Sequence, residues 1–332
     1  MPDETSYRFA GQYDTDRLSG DLGASGRLEA VVVDHDAGEV LASCVTSLHA
    51  AGASLVVVVD NAVPSGCSKR VLSRDPEAGG TGRTISGPTT SGPATRVLEV
   101  DVNLGYGSGA NRGAASCDAE QLLICNADVV VDRDSLAHLA DALDKDLGLA
   151  IVGPRVLEPD GTRYPSARRF PSLIEGAGHA IAGRIWPHNR FSRRYRMTDM
   201  GPAGMDPGGP TGVDWVSGSC MLVRRDAFEE LGGFDEAYFM YGEDVDLCWR
   251  AHRAGYGVAY VPAASVTHVG GISTRRTPYR MLAAHHRSAL RFATRSLSGP
   301  RRLALPAVAV ALGLRFVAEV ARQASSGRSA QV

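Results

Sequence analysis

Four short runs of apolar, largely β-branched residues constrain this chain more than any other feature. They are 28–33 (LEAVVV), 54–61 (SLVVVVDN), 96–101 (RVLEVD) and 121–132 (QLLICNADVVVD). A strand with one wet face alternates apolar and polar side chains. Runs without that alternation must be covered on both faces, as in a parallel sheet sandwiched by helices. Between the first two runs, residues 39–50 (EVLASCVTSLHA) place Val40, Leu41, Cys44, Val45 and Leu48 at helical spacing. Strand, helix, strand at this separation predicts a βαβ unit and an α/β fold. The 121–132 run reads as one strand, followed by a helix over 132–143 and a strand and turn over 149–161. Residues 213–234 read as a strand, then a helix closed by Gly232.

The 332 residues divide unevenly around this framework. Residues 1–27 lack apolar periodicity and are expected to be a flexible tail. Residues 73–96 are rich in Gly, Pro, Ser and Thr and cannot bury enough surface to offset their ordering entropy, so a mobile loop insertion is expected. Charge is segregated, although the net charge is only -2, which gives no global drive toward nucleic acid. Residues 161–197 hold eight Arg and one acid, and residues 247–318 hold eleven Arg and no acid. The stretch 303–320 is strongly apolar but carries Pro306, Arg315 and Glu319, which favours an interfacial or packed helix over a spanning one. Six cysteines form no CxxC and no zinc spacing, and the N-terminus is polar and acidic rather than signal-like. A reduced, intracellular chain with buried cysteines is expected.

Ligands of open parallel sheets bind beyond the carboxyl ends of the strands. Three of the four early runs end in polar residues: Asp60 and Asn61, Asp101 to Asn103, and Asn126 to Asp128. Each alone is an ordinary strand terminator; the set predicts a polar rim around a ligand. The glycines at 105, 107, 109 and 113 open a helix, but their register is wrong for a dinucleotide turn, and no GK[ST] follows for a phosphate loop. Asp128 suits Mg²⁺ or Mn²⁺ holding a diphosphate, or equally a turn. Glu243 and Asp246 share a helix face while Asp244 points elsewhere, so one of the three can serve as a general base; an acidic helix start is the plainer reading. His268 ends an apolar run and by itself reads as a partly buried histidine.

Together the segments 56–61, 103–113 (NLGYGSGANRG), 124–132 (ICNADVVVD), 213–256 with its GGFDEAYFMYGEDVDLCWR run, and 266–271 (VTHVGG) resemble the inverting family 2 glycosyltransferases of GT-A fold. Within that family they are most similar to bacterial rhamnosyltransferases. The resemblance implies a Rossmann-like, mostly parallel sheet flanked by helices over 28–272. A basic, helical, membrane-surface-associated extension over 273–332 would follow. It implies Asp244 as catalytic base and Asp128 and His268 as ligands of Mg²⁺ or Mn²⁺. Asp60, Asn61, Asn103, Gly105, Asn111 and Asn126 would bind the nucleotide sugar; at Asp34 and His35, where VVVDHD stands in place of the family's usual Thr/Asn-type sequence, the chain departs from the pattern of base contacts. Trp215, Ser217, Gly218, Glu243, Arg275 and Arg276 would meet the acceptor. The implied donor is dTDP-L-rhamnose and the implied acceptor N-acetylglucosaminyl-diphospho-decaprenol. UDP-galactofuranose as donor, a nucleotidyltransferase and a non-catalytic sugar-nucleotide binder are the alternatives. The implied setting is peripheral, on an anionic membrane surface at the cytoplasmic side, without a transmembrane helix or nucleic acid, and with possible homo-oligomerisation.

Overall fold

A computed structural model describes residues 27–62, 66–73, 94–170, 209–270 and 278–329. Residues 1–26, most of the 73–96 segment, Arg275 and Arg276 lie outside the described residues. The apolar runs form β1 (Leu28–Asp34), β2 (Leu55–Asp60), β3 (Ala94–Glu99) and β4 (Gln121–Asn126), all parallel in the order β3-β2-β1-β4. The sheet continues through β11 (Cys220–Arg224), antiparallel to both neighbours. It then reaches β6 (Leu149–Leu157), β12 (Gly257–His268) and β5 (Val129–Val131). Short β7 (Arg163–Tyr164) and β9 (Thr211–Gly212) pair at its margin. β8 (Ala167–Arg168) and β10 (Trp215–Val216) form a separate ribbon.

Both faces are covered, as the missing alternation requires. Ala30, Val32, Val56 and Val58 point to one core with α1 (Val40–Ala50) and α4 (Ser135–Lys145). Val31, Val33, Val57 and Val59 point to the other, with α3 (Tyr106–Ala114), α5 (Arg225–Glu230) and α6 (Glu243–Arg253). A short α2 (Cys67–Leu72) follows β2. The five cysteines at 44, 117, 125, 220 and 248 are buried and free, as expected of small hydrophobes.

Two expectations are corrected. The 121–132 run is two strands, not one. The chain leaves the central sheet at Asn126, turns through Ala127 and Asp128, and pairs again as β5 on the far side of β12. The polar Asn126-Ala127-Asp128 step marks the break in the sequence, but apolar runs on both sides let it read as part of one strand. The second concerns Pro306 as a break: the C-terminal region is helical as expected, forming α7 (Pro278–Ser296), a 3-10 turn (Gly299–Ala304) and α8 (Leu305–Ser329). Pro306 lies in the first turn of α8, where a missing N–H costs nothing, so it does not interrupt the helix. The segment Gly299–Gln323 is long and apolar enough to cross a membrane, and none of its apolar window is buried in the protein.

Candidate active site

The register of the sheet sets the cavity. Asp34 lies beside Asp60, Asp60 beside Glu99, and Val33 beside Asn126, so the polar strand ends form one rim. Against this rim lies a cavity of about 590 Å³, whose lining includes His35, Asn61, Asn103, Asn126, Asp128, Trp215, Ser217, Gly218, Glu243, Asp244 and His268. Positions 128 and 244, which the sequence analysis treats as ion anchor and base, therefore open into one cavity rather than two.

The turn between β4 and β5 positions Asp128. Val129 of β5 is in register with His268 of β12, and Val269 N–H donates to the Asp128 carbonyl at 2.9 Å. The His268 ring consequently swings against the turn, with Nε2 at 3.1 Å from Asp128 Oδ1 and 3.2 Å from the Asn126 side-chain amide. Nε2 bears either a proton or a lone pair and cannot both accept from the amide and donate to the carboxylate. An amide nitrogen does not ligate a cation; with the Asn126 amide turned about its terminal bond, its oxygen, His268 Nε2 and Asp128 Oδ1 make a donor set suited to a divalent cation. Ligands at about 2.1 Å around an octahedral ion sit about 3 Å from each other. No cluster of three His, Cys, Asp or Glu occurs among the described residues. Two protein ligands plus an amide thus fit an ion that also takes oxygens from a diphosphate.

Across the cavity, α6 begins with Glu243 and Asp244. Asp244 Oδ2 accepts from Gly218 N–H at 2.9 Å, and Oδ1 from Val245 N–H at 2.8 Å. Burial raises its pKa; these two donors and the Arg168 guanidinium oppose that rise. Glu243 has less support, a backbone N–H alone opposing the rise. It is buried, its Oε2 has no partner, and burial followed by repulsion from Asp244 lifts its pKa to about 8. Burial thus pushes both carboxyls up, and the donors on Asp244 are what favour its ionised form. Two residues before Glu243, Tyr241 at φ 67° holds a left-handed conformation uncommon for a side-chain-bearing residue.

The remaining expected residues divide into liners and holders. Asn61 accepts from Leu104 N–H at 2.8 Å and donates to the Gly105 carbonyl at 3.0 Å, while Asn103 Oδ1 accepts from Gly105 N–H at 2.9 Å. This bracket shapes the glycine-rich turn. Gly105 sits at φ 82°, and a Cβ there would overlap the Phe239 carbonyl oxygen. Three expected ligand residues do not line the cavity. Asp60 is fully buried, and its carboxylate accepts from the N–H groups of Ala62, Gly66 and Ser68. Asn111 exchanges hydrogen bonds with the Phe234 backbone at 2.8 and 2.9 Å. Gly105 supports the wall from behind. Asp34 is likewise occupied, by Ala37 N–H and the Ser68 hydroxyl.

The comparisons with known proteins show the family. Residues 26–292 match the family described as Glycosyltransferase like family 2. The chain belongs to that glycosyltransferase family. Over 218 residues it is 42% identical to an N-acetylglucosaminyl-diphospho-decaprenol L-rhamnosyltransferase of Mycobacterium tuberculosis, covering 62% of this chain and 69% of the relative. Over 200 residues it is 42% identical to the rhamnosyltransferase WbbL of Escherichia coli, covering 57% and 71%. Among solved structures, the mannosyltransferase PcManGT from Pyrobaculum calidifontis, in complex with GDP-Man and Mn²⁺, matches with a TM-score of 0.51. Identity there is 14%, over 91% of this chain and 79% of that one. That likeness concerns the fold.

The glycosyltransferase builds its cavity from more residues than the motifs reveal. Tyr106 reaches across to donate its hydroxyl proton to the Gly218 carbonyl. Arg168 bonds the Tyr164 hydroxyl at 2.9 Å and lies over the Trp215 ring at 5.0 Å. Beyond the 272 boundary expected from sequence, α7 supplies His285, Ser288, Ala289 and Phe292. His285 meets Tyr241 edge to face at 5.6 Å, and burial holds its pKa down to about 4, so it is neutral. The 285, 288, 289, 292 spacing is a helical face legible in the sequence; that it faces a cavity is not.

Proposed function

We propose that this glycosyltransferase moves L-rhamnose, with inversion, from dTDP-L-rhamnose to a polyprenyl-diphosphate-linked saccharide of the N-acetylglucosaminyl-diphospho-decaprenol type. The carrying observation is the placement of Asp244 opposite the Asp128 and His268 pair within one cavity. The donor and acceptor classes rest on the 42% identity to the two rhamnosyltransferases.

In this reading Asp128 and His268, with Asn126 beside them, hold a divalent cation. When bound, the ion offsets the charge that develops on the departing diphosphate. Asn61, Asn103 and His35 border the nucleotide end. Asp244 takes the proton of the acceptor hydroxyl as that oxygen bonds to the anomeric carbon. The bond from that carbon to the diphosphate oxygen breaks, and the nucleoside diphosphate leaves with the electron pair. A single displacement needs a single base, and the Gly218 and Val245 N–H donors favour the ionised form of Asp244 that the role requires. Trp215, Ser217, Gly218 and Glu243 border the acceptor side, and Arg275 and Arg276 belong to the same proposal through their place in the sequence. Gly218 N–H keeps the Asp244 carboxylate aimed into the cavity.

The test is thermal unfolding with a panel of nucleotide sugars, each with Mn²⁺ or Mg²⁺. Ligands that bind only the folded state raise the midpoint in proportion to occupancy. A thymidine-diphosphate sugar is expected to stabilise selectively and only with the cation. Selective stabilisation by uridine or guanosine diphosphate sugars overturns the donor assignment.

A further inference from the structure

Helix α7 has three occupied faces. His285, Ser288, Ala289 and Phe292 line the cavity. Arg291 binds Asp235 at 2.7 Å. Arg295 binds Asp235 too and lies 3.4 Å from the fully buried Asp246 of α6. On its third face, the His286 ring meets Phe316 of α8 at 5.5 Å. One rigid element is thus cavity wall, anchor to the catalytic helix and seat of α8.

The opposite face of α8 has no cover among the described residues. Leu303 just before it is 85% exposed, and Val310, Leu314 and Val317 are 62%, 69% and 65% exposed. The spacings of seven, four and three residues put them in one stripe. Ala307, Ala311 and Ala318 are exposed with them, while Arg301, Arg302 and Arg315 are exposed around the stripe. No Asp or Glu occurs from 247 to 318. Glu319, the acid of α8, is paired with Arg322; a water-facing apolar stripe flanked mainly by cations is the pattern of a helix lying in the plane of a membrane surface. A second copy of the chain fits less well, because a two-fold pairing of this face would set like charges against each other. A spanning α8 would have to leave Phe316's seat on α7, which the arginine pairs fix to the catalytic domain.

We propose that the outer face of α8 docks on an anionic lipid surface, and that α7, by carrying both α8 and one cavity wall, presents the cavity to the saccharide end of an acceptor held in that surface. The proposal rests on the lipid-linked acceptor reading above, and it adds His285, Ser288 and Phe292 as residues past which that saccharide travels.

The test uses the full chain and the double variant L314E/V317E, whose side chains are exposed and touch no part of the cavity. In sedimentation with mixed phosphatidylglycerol and phosphatidylcholine vesicles, the variant is expected to bind at least about tenfold more weakly than the parent protein. Transfer is then measured on one saccharide diphosphate carried by a long polyprenol in those vesicles, or by a short water-soluble alkyl chain. The expected result is a loss of about tenfold in kcat/KM on the long-chain acceptor and none on the short one. Equal vesicle binding by the two proteins, or an equal effect on both acceptors, overturns the proposal. Loss of a dimer in the variant with vesicle binding intact overturns it in favour of a second copy. If the parent protein transfers to neither acceptor, the acceptor reading fails, while the vesicle arm still decides whether α8 docks.

Discussion

At the residue scale, the site separates two adjacent carboxylates by what their oxygens touch. Asp244 has two backbone N–H donors and a nearby guanidinium; Glu243 has a buried oxygen with no partner. D244N is therefore expected to lower turnover by about 10²–10⁴-fold while leaving donor affinity in calorimetry nearly unchanged. Loss of the Arg168 charge removes a force favouring ionised Asp244, so R168M should move the acid limb of the kcat/KM profile to higher pH. Glu243 gives a stability signature. Its pKa rises from 4.5 to about 8 on folding, so the native state favours the protonated form. That stabilisation is complete below the unfolded value and is withdrawn as pH climbs through the interval toward about 8. Unfolding midpoints across this interval should fall with pH, and less steeply in E243Q. An unchanged slope in E243Q would place the proton elsewhere.

At the element scale, helix α6, which carries the proposed base, is aimed by the segments that precede it and the glycine-rich turn. Gly105 lets the glycine-rich turn close on Phe239, and Tyr106 N–H donates to the Phe239 carbonyl at 3.1 Å. The same segment runs on to Tyr241, Glu243 and Asp244. G105A adds a Cβ at φ 82° where the Phe239 carbonyl already sits. Destabilisation of at least about 1–3 kcal/mol is expected in denaturant titrations, with a fall in kcat, because Asp244 shifts along with the backbone. Asp60 belongs to this scale as well. A carboxylate at a strand end is equally suited to a base edge or to a loop, and here three backbone N–H groups claim it.

For the whole molecule, the arginine pairs of α7 join the catalytic domain to the C-terminal helices. R291A/R295A leaves Asp246 its partner Arg250 at 2.7 Å, so the core should fold, but it frees α7 from Asp235. Hydrogen exchange and limited proteolysis are expected to show faster opening confined to α7 and α8. Acceptor KM should rise, while donor affinity, set at the opposite wall, stays close to that of the parent protein. A uniform loss of protection would assign these arginines to global stability instead.

The sequence by itself determined the layered α/β architecture, because unbroken β-branched runs have no stable place except between two apolar layers. It also determined the candidacy of Asp128, Asp244 and His268, because they sit where strands and a helix begin or end in one recurrent pattern. Only the tertiary structure decided which polar residues face the ligand. Asn61 and Asn103 line the cavity whereas Asp60 and Asn111 hold loops, a difference made by side-chain direction and by which backbone N–H groups lie within reach. It alone sent the second half of the 121–132 run across β12, a change of partner that the polar step at 126–128 marks but does not direct. And it alone turned α7 from a basic tail into a wall of the active site, because a helix's period reveals that it has faces but not what each face meets.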